Sequence, residues 1–587
     1  MMPSSRTMPG LWRDAIAEKR SAPAYLVETP EGWREVSWTE AATAVDELAN
    51  GLLALGVQKG DAFAIMARTS LEWALFDFAL AHVGGVTAPI YPSSSPKDAA
   101  YIAEHSESVG VLTEEIEQLA ALAAEAGSDR LQHRLTFADL DSLRSRGRDY
   151  AASNPSALDD AAAAISEDDL FTYIYTSGTT GPPKGCMILH RHYYEMCATV
   201  GRMQSLLAEG DTVLLYLPLA HNFGRLTHLV GPYLNFTIAF CPDPLRVGDA
   251  LPEVQPTVLP SVPRVFEKVH AGVVAKFDQA AGVKRRLIEW ALRVGRRVSA
   301  LRQQGKPLPA GLALQHRIAD KLVYSKVKER LGGRLRAAIS GGAPLAKEIA
   351  EYFHALDILI LEGYGLTECT TACAVNRVDS FRFGTVGQAM PGFEIKIAED
   401  GEILIKGPTI FAGYYKDEES TRAVLDDDGW LHSGDVGDLD ADGFLTITDR
   451  KKDIIVTAGG KNVAPQNLEN ELKSSRFVSQ ALVVGDRRPY IVALVTLDEA
   501  ETRAWADEQG FDGDLAALAE HDKVRALVEE IVEGVNADRS RFEQIKRFAI
   551  LQRDFSAEHD EVTPTLKLRR RICEQHFFEE VEALYAA

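Results

Sequence analysis

From Thr39 to Tyr91 the apolar spacing changes period repeatedly, and this alternation constrains the fold more than any other feature of the chain. Thr39 to Leu55 carries Ala, Val and Leu at helical spacing and stops near Gly56. Ala62 to Met66 is a short apolar run, Leu71 to Val83 is helical again, and Val86 to Tyr91 returns to a strand pattern. Short apolar strands separated by helices need cover on both faces, which is the arrangement of parallel sheets in layered α/β proteins. At 587 residues the chain exceeds one hydrophobic core, and such a length suggests roughly three to five structural units. No self-similar period of about 20 to 50 residues is evident, which argues against a solenoid.

After about Gly384 the texture changes to short β segments with turn signals, among them Phe393–Ile397, Gly401–Lys406 and Gly443–Ile447. A charged knot, Asp449-Arg-Lys-Lys-Asp453, follows, and then βα patterning resumes. Taken alone the knot is compatible with a solvated turn. The expected organisation is a large N-terminal domain over 1–451, with layered α/β sheets and a small β-barrel subdomain at about 384–448. A small α+β C-terminal domain over 452–587 completes it.

The formal charge of −22 argues against general nucleic-acid binding, which needs a basic footprint. The six cysteines show no zinc-type spacing and suit a reduced, cytosolic setting. Met1-Met-Pro-Ser-Ser-Arg6 lacks the apolar core of a signal peptide. The apolar stretch from Leu71 to Tyr91 is interrupted by Glu72, Asp77 and His82, so it reads as a buried helix and strand rather than a bilayer span. A cytoplasmic protein, at most peripheral to the inner face of a membrane, is expected.

The segment 284–306 stands apart, with eight Lys and Arg against one acid, Glu289. Leu287, Ile288, Trp290, Val294 and Val298 give it an apolar side. Such a helix can lie on an anionic membrane, or it can pack that side into the core and leave a solvated basic back, which is the simpler arrangement.

Tyr175-Thr-Ser-Gly-Thr-Thr-Gly-Pro-Pro-Lys-Gly185 carries the clearest chemistry. Its glycines let backbone N–H groups approach an anion closely. The hydroxyls of Thr176, Ser177, Thr179 and Thr180 add donors around Gly178, and Lys184 adds a point charge suited to phosphate. The β-rich Leu170–Tyr175 places this loop at a strand end. It is not the common P-loop, which needs Gly-Lys followed by Ser or Thr.

Three further segments suit a nucleotide. Ser340-Gly-Gly-Ala-Pro-Leu345 follows a strand pattern and could admit a flat purine against backbone. Glu362-Gly-Tyr-Gly-Leu-Thr-Glu368 offers an aromatic face at Tyr364, a hydroxyl at Thr367 and an oxygen ligand for magnesium at Glu368. Trp430-Leu-His-Ser-Gly-Asp435 offers a carboxylate able to accept two ribose hydroxyls. Each alone is also an ordinary turn.

In this order, the segments resemble the adenylate-forming superfamily over about residue 30 to the C-terminus. Leu217-Pro-Leu-Ala-His-Asn-Phe-Gly-Arg225, Pro260-Ser-Val-Pro-Arg-Val-Phe-Glu-Lys268 and the basic stretch after them are most similar to bacterial long-chain fatty acyl-CoA synthetases. The resemblance implies an ATP-dependent acid–thiol ligase with ATP, Mg²⁺ and coenzyme A as cofactors or co-substrates, acting on a fatty acid. It implies that Thr176 to Lys184 hold the β and γ phosphates. Gly341, Gly342, Ala343, Pro344, Tyr364 and Gly365 would frame adenine, and Asp435 and Arg450 would take the ribose. Thr367 and Glu368 would serve the α-phosphate, with Thr176 and Glu368 toward the metal. Thr563-Pro-Thr-Leu-Lys567 matches the segment of the family's catalytic lysine, although Leu566 stands where many members have glycine. His221 falls in the acyl-pocket motif, and a satisfied core histidine is its other reading. Lys452 falls at the hinge about which the small domain would exchange Lys567 for the loop Thr457–Asn462. Loading of a separate acyl carrier protein, or a non-catalytic nucleotide-binding regulator on the same fold, remain open alternatives. Intact Lys184, Glu368, Asp435 and Lys567 count against the regulator.

Overall fold

The computed structural model describes residues 5–18, 20–125, 131–176, 182–203, 206–537, 539–556, 558–563 and 567–586. Two large sheets dominate the first 390 or so residues. One has six strands in the order His133–Thr136, Gly110–Thr113, Ala62–Met66, Val86–Ile90, Leu170–Thr176 and Lys184–Leu189. All its pairings are parallel except the last, a hairpin. The other has nine strands, with a parallel centre formed by Ile360–Tyr364, Ala337–Ser340, Val258–Ser261, Thr212–Leu215, Thr237–Phe240 and Tyr25–Thr29.

The helix Leu71–His82 is apolar around its whole circumference, and burial explains why. Phe76 packs on Phe63 of the six-stranded sheet, with ring centroids 5.3 Å apart. Phe78 meets His228, whose ring stacks on Tyr25 of the nine-stranded sheet. The helix thus bridges the two sheets. Its N-cap, Ser70, accepts a hydrogen bond from Trp73 N at 3.3 Å, and Thr87 and Arg225 satisfy its single buried acid, Asp77.

Glu394–Ile397, Glu402–Lys406, Leu431–Leu439 and Leu445–Arg450 form a four-stranded antiparallel sheet. Its edge strands do not pair with each other, so the small barrel expected here is an open sheet. From Ile455 onward the chain builds separate apolar cores around a three-stranded sheet, Val478–Val484, Ile491–Leu497 and Ile545–Ile550.

The basic helix forms over Gly282–Gln303 and buries Ile288, Ala291, Val294 and Val298. Most of its apolar side is therefore packed into the core, while its basic back and the exposed Val283 face solvent. Among the described residues, no helix is long and apolar enough to cross a membrane.

Candidate active site

The candidate residues gather at the carboxyl ends of the parallel strands, where open α/β sheets bind ligands. Thr176 closes the strand Leu170–Thr176 and lies directly opposite Lys184 in the hairpin register. Ser177, Gly178, Thr179 and Thr180 lie outside the described residues. Lys184 reaches across to the N-terminus of the helix Glu418–Val424. There its ammonium meets the Asp417 carboxylate at 3.2 Å and the Ser420 hydroxyl, over the Tyr414 ring. Asp417, Ser420 and Tyr414 were not singled out in the sequence, since nothing local links them to a lysine more than two hundred residues away.

On the neighbouring sheet, Gly341 follows the strand Ala337–Ser340, and Gly342 takes a left-handed φ of 84°. Gly342, Ala343 and Pro344 are exposed. Tyr364 ends the next strand and is buried, with its hydroxyl donating to Asp435 Oδ2 at 2.6 Å. Gly365 has a packing reason to be glycine: a Cβ there would stand 2.1 Å from the Thr371 carbonyl oxygen. Thr367 and Glu368 form a 3₁₀ turn, and Glu368 Oε1 accepts a hydrogen bond from Tyr414 at 2.6 Å. Tyr414 thereby touches both Glu368, by its hydroxyl, and Lys184, by its ring.

Asp435 and Arg450 are register partners in the four-stranded sheet, with Arg450 Nε 3.3 Å from Asp435 Oδ1. Burial raises the Asp435 carboxyl, while Arg450, the Tyr364 hydroxyl, Lys567 and Lys452 oppose the rise. Beside Tyr364, the buried Glu362 is a residue that sequence reasoning missed. Its Oε2 accepts from Leu345 N at 3.2 Å, its Oε1 has no hydrogen-bond partner among the described residues, and burial pushes its carboxyl up to about 7. An acid within Glu362–Glu368, next to the Gly-Gly bend, was its only sequence signal.

The C-terminal unit delivers Lys567 to the same place. Its backbone is pinned by reciprocal hydrogen bonds with Thr563, N to Oγ1 at 3.1 Å and O from Thr563 N at 2.8 Å. Lys567 is exposed as a whole residue, yet desolvation lowers the pKa of its ammonium group. Arg450 adds to the lowering, and Asp435 and Glu368 oppose it. His221 caps the helix Asn222–Leu234 through Nδ1, which accepts from Phe223 N at 3.1 Å. Burial, joined by the charge on Lys567, pulls His221 down to about 4. Lys567 is therefore within electrostatic reach of His221, Asp435 and Glu368, although the four come from separate stretches of chain.

Lys452 also feels Arg450, Asp435 and Glu368, with desolvation the largest cause of its lowered pKa. The loop Thr457–Asn462 is turned to its own unit, with Ala458 N on Arg488 O at 2.9 Å and Lys461 over Phe542. A second junction joins the segment Pro260–Lys268 to the C-terminal unit. Arg264 donates to the Ser479 carbonyl and hydroxyl at 3.2 Å each, and Ser479 donates to Asp554 at 2.5 Å.

Among the described residues, no three His, Cys, Asp or Glu side chains cluster as a protein-only metal site. Glu368 and the Thr176 hydroxyl supply oxygen donors of the kind that suit magnesium, which keeps several waters and takes its other ligands from phosphates.

Comparisons with known proteins agree with this geometry. The family model described as AMP-binding enzyme matches residues 12–415, and that of the AMP-binding enzyme C-terminal domain matches residues 452–587. The chain is similar to long-chain-fatty-acid–CoA ligase FadD15 of Mycobacterium tuberculosis, 38% identical over 565 residues, 94% of this chain and 92% of that protein. It is also similar to peroxisomal long chain acyl-CoA synthetase 6 of Arabidopsis thaliana, 31% identical over 585 residues, covering 94% and 82% respectively. Among solved structures, the adenylation domain of a carboxylate reductase from Mycobacterium chelonae superposes with a TM-score of 0.75 at 24% identity, over 99% of this chain and 91% of that one. An anthranilate CoA ligase in complex with anthranoyl-AMP gives 0.74 at 18% identity, over 99% and 98%. At these identities the solved structures speak to the fold. With a layered α/β body, a separate C-terminal unit and both family models matched in order, the chain belongs to the AMP-binding enzyme family.

Proposed function

We propose that the protein is an AMP-forming long-chain fatty acid–CoA ligase. It activates a fatty acid with ATP as acyl-adenylate and pyrophosphate, then transfers the acyl group to the thiol of coenzyme A with release of AMP. The observation that carries this reading is the convergence of Lys567 with His221, Asp435 and Glu368 at the strand ends. A carboxylate attacking the α-phosphorus needs positive charge on its oxygen and on the bridging oxygen, and a preorganised ammonium in a desolvated site supplies it. Lys567 takes that role. Lys184 holds the departing pyrophosphate, exchanging Asp417 for phosphate oxygens. Tyr364 and the segment 341–344 frame adenine, Asp435 with Arg450 takes the ribose, and Thr367 serves the α-phosphate. His221, neutral at physiological pH, orients the acyl carboxylate. Glu368 with Thr176 would hold Mg²⁺, whose chemistry when bound is neutralisation of phosphate charge.

We further propose domains over 1–451 and 452–587, with Lys452 as the hinge. Lys567 lies at the site while the loop Thr457–Asn462 packs on its own unit, which is the pose suited to adenylation. Rotation about Lys452 would exchange the two for thioester formation. We also propose residence in the cytoplasm, a reducing setting that suits six free, buried cysteines.

The deciding experiment is a coenzyme A-dependent AMP-release assay across fatty acids of graded length plus an aromatic acid. Release that rises with chain length supports the proposal. Activity on aromatic acids alone would overturn the substrate class, and adenylate without thioester would favour loading of a carrier protein.

A further inference from the structure

The strand Val258–Ser261 pairs with Ala337–Ser340, and the Ser261 carbonyl accepts from Gly341 N at 3.2 Å in the proposed adenine segment. The helix Pro263–Asp278 begins two residues later, with Pro263 at its first position and Arg264 in its first turn. That turn follows the carboxyl end of a parallel strand of the large N-terminal body. Glu267, one turn along the same helix, lies 3.7 Å from the Arg264 guanidinium. The guanidinium nevertheless gives two hydrogen bonds to the C-terminal unit, to the carbonyl and the hydroxyl of Ser479 at 3.2 Å each. Donors held in one rigid plane suit two acceptors on a single residue.

Ser479 can receive both bonds because the chain bulges there. Where Val478–Val484 pairs with Ile491–Leu497, Val478 lies opposite Leu497 and Gln480 opposite Thr496, so Ser479 is the extra residue and stands outside the ladder. Its carbonyl can thus turn to a donor from another element. Its buried hydroxyl passes a hydrogen bond on to Asp554 Oδ2 at 2.5 Å. Asp554 Oδ1 is fixed in turn by the Thr496 hydroxyl at 2.6 Å and Phe555 N at 2.9 Å. Next to it, Arg553 donates to the Asp554 carbonyl at 3.0 Å and holds the fully buried Glu561 at 2.5 and 2.6 Å. The Glu561 carbonyl accepts from Arg569 N at 2.8 Å, and Val562 bridges to Leu568, so the two ends of the loop that carries Lys567 are tied together. Polar contacts therefore lead from Arg264, through the bulge, to the root of that loop.

We propose that Arg264 is a positioning residue for Lys567: its grip on the Ser479 bulge holds the C-terminal unit in the pose that puts the lysine at the site, and it lets go before thioester formation. The inference rests on the two-pose ligase reading and adds to it a contact that sets the balance between the poses. Gln466 N donates to Asp449 Oδ2 at 3.1 Å, close in sequence to Lys452, so that bond can persist through rotation at the hinge. Arg264 lies on a different element of the body, and its bonds to Ser479 cannot survive rotation of one unit against the other. Removing them penalises one pose and not the other.

Half-reaction kinetics and the His221 titration test it together. Arg264→Ala loses two hydrogen bonds from a charged donor, so adenylation, read by pyrophosphate exchange, should fall about tenfold or more with little change in the KM for ATP. Thioester formation from supplied acyl-adenylate should not fall. Arg264→Lys, which keeps a cationic donor without the planar fork, should restore part of the exchange rate. The charge that lowers His221 is that of Lys567, so the imidazole NMR titration should move upward in Arg264→Ala, in the direction expected of Lys567→Ala. Ser479→Ala keeps the carbonyl and leaves Arg264 intact. It should show a smaller shift of the same sign, and it stands in if Arg264→Ala folds poorly. The proposal is overturned if the His221 titration stays at the wild-type value in both variants. It is equally overturned if both half-reactions fall together with the melting temperature, which would make Arg264 a purely structural residue. Wild type that forms no acyl-adenylate with any acid would refute the ligase reading instead, and the His221 titration would still decide whether Arg264 holds Lys567 in place.

Discussion

Tyr364 donates a hydrogen bond to Asp435 at 2.6 Å, and that bond joins the end of a parallel strand to the strand Leu431–Leu439 of the four-stranded antiparallel sheet. The proposed adenine platform and the proposed ribose acid are thereby held at one spacing. Tyr364→Phe removes a hydrogen bond to a charged group, a loss of about 1.5–3 kcal/mol. The KM for ATP should rise on the order of tenfold or more, while the aromatic platform survives. Pyrophosphate exchange at varied ATP measures this, and an unchanged KM would remove the coupling.

Lys567→Ala should abolish adenylation while ATP binding, followed by equilibrium titration, stays largely intact. The same variant carries a second readout. Because the Lys567 charge lowers the His221 pKa, its loss should raise that pKa, visible in the imidazole NMR titration. A His221 titration unmoved by the substitution would separate the two residues.

Lys452→Pro should slow thioester formation far more than adenylation, since proline restricts the φ that rotation must change. Pyrophosphate exchange and a thioester assay report the two steps separately. Equal loss in both would sink the hinge.

Glu362 gives a pH-dependent prediction. Its pKa is about 7 in the folded protein against 4.5 for the free group. A carboxyl raised on folding stabilises the fold fully below the unfolded value, and that contribution is lost as pH rises through the folded one, about 3 kcal/mol in all. Glu362→Gln cannot ionise, so its melting temperature relative to wild type should improve between pH 5 and pH 8. A difference that stays constant over that range would refute the buried-acid assignment.

Arg225 grips Asp77 in a fully buried pair at 2.5 and 3.1 Å and donates to Thr172 Oγ1 at 2.6 Å, on the strand that leads into the Thr176–Lys184 hairpin. Asp77→Ala strands a buried cation and should destabilise by about 3–5 kcal/mol. Removing both charges with D77L/R225M should cost less than the single change. Chemical denaturation followed by tryptophan fluorescence distinguishes these outcomes.

Much of the fold was readable along the chain because its signals are local. The strand Ala62–Met66 forms over the residues its apolar run marked out, and the helix expected from Thr39 runs Trp38–Leu55 and stops at Gly56 with φ 89°. Turn chemistry likewise located the short strands after Gly384. The barrel was not readable, since closure depends on whether two edge strands meet, and here they do not. At the site, motif order supplied the residue types but not their partners. Asp417 and Ser420 became visible as the company of Lys184 only once the hairpin and the helix Glu418–Val424 were in place.

The sequence by itself determined the layered α/β class, the order of the nucleotide-binding segments and the residues able to bear their chemistry, because period, turn and side-chain type are properties of short stretches. Only the tertiary structure decided that Lys567 lies within reach of His221 and Asp435, that Glu362 has a buried oxygen without a partner among the described residues, and which side of the basic helix faces outward. Those outcomes rest on contacts between residues far apart in the chain. An amphipathic repeat reads the same whether its apolar side meets a core or a bilayer, and here packing against the helix Lys347–Ala355 buries Ile288, Ala291, Val294 and Val298 in the core.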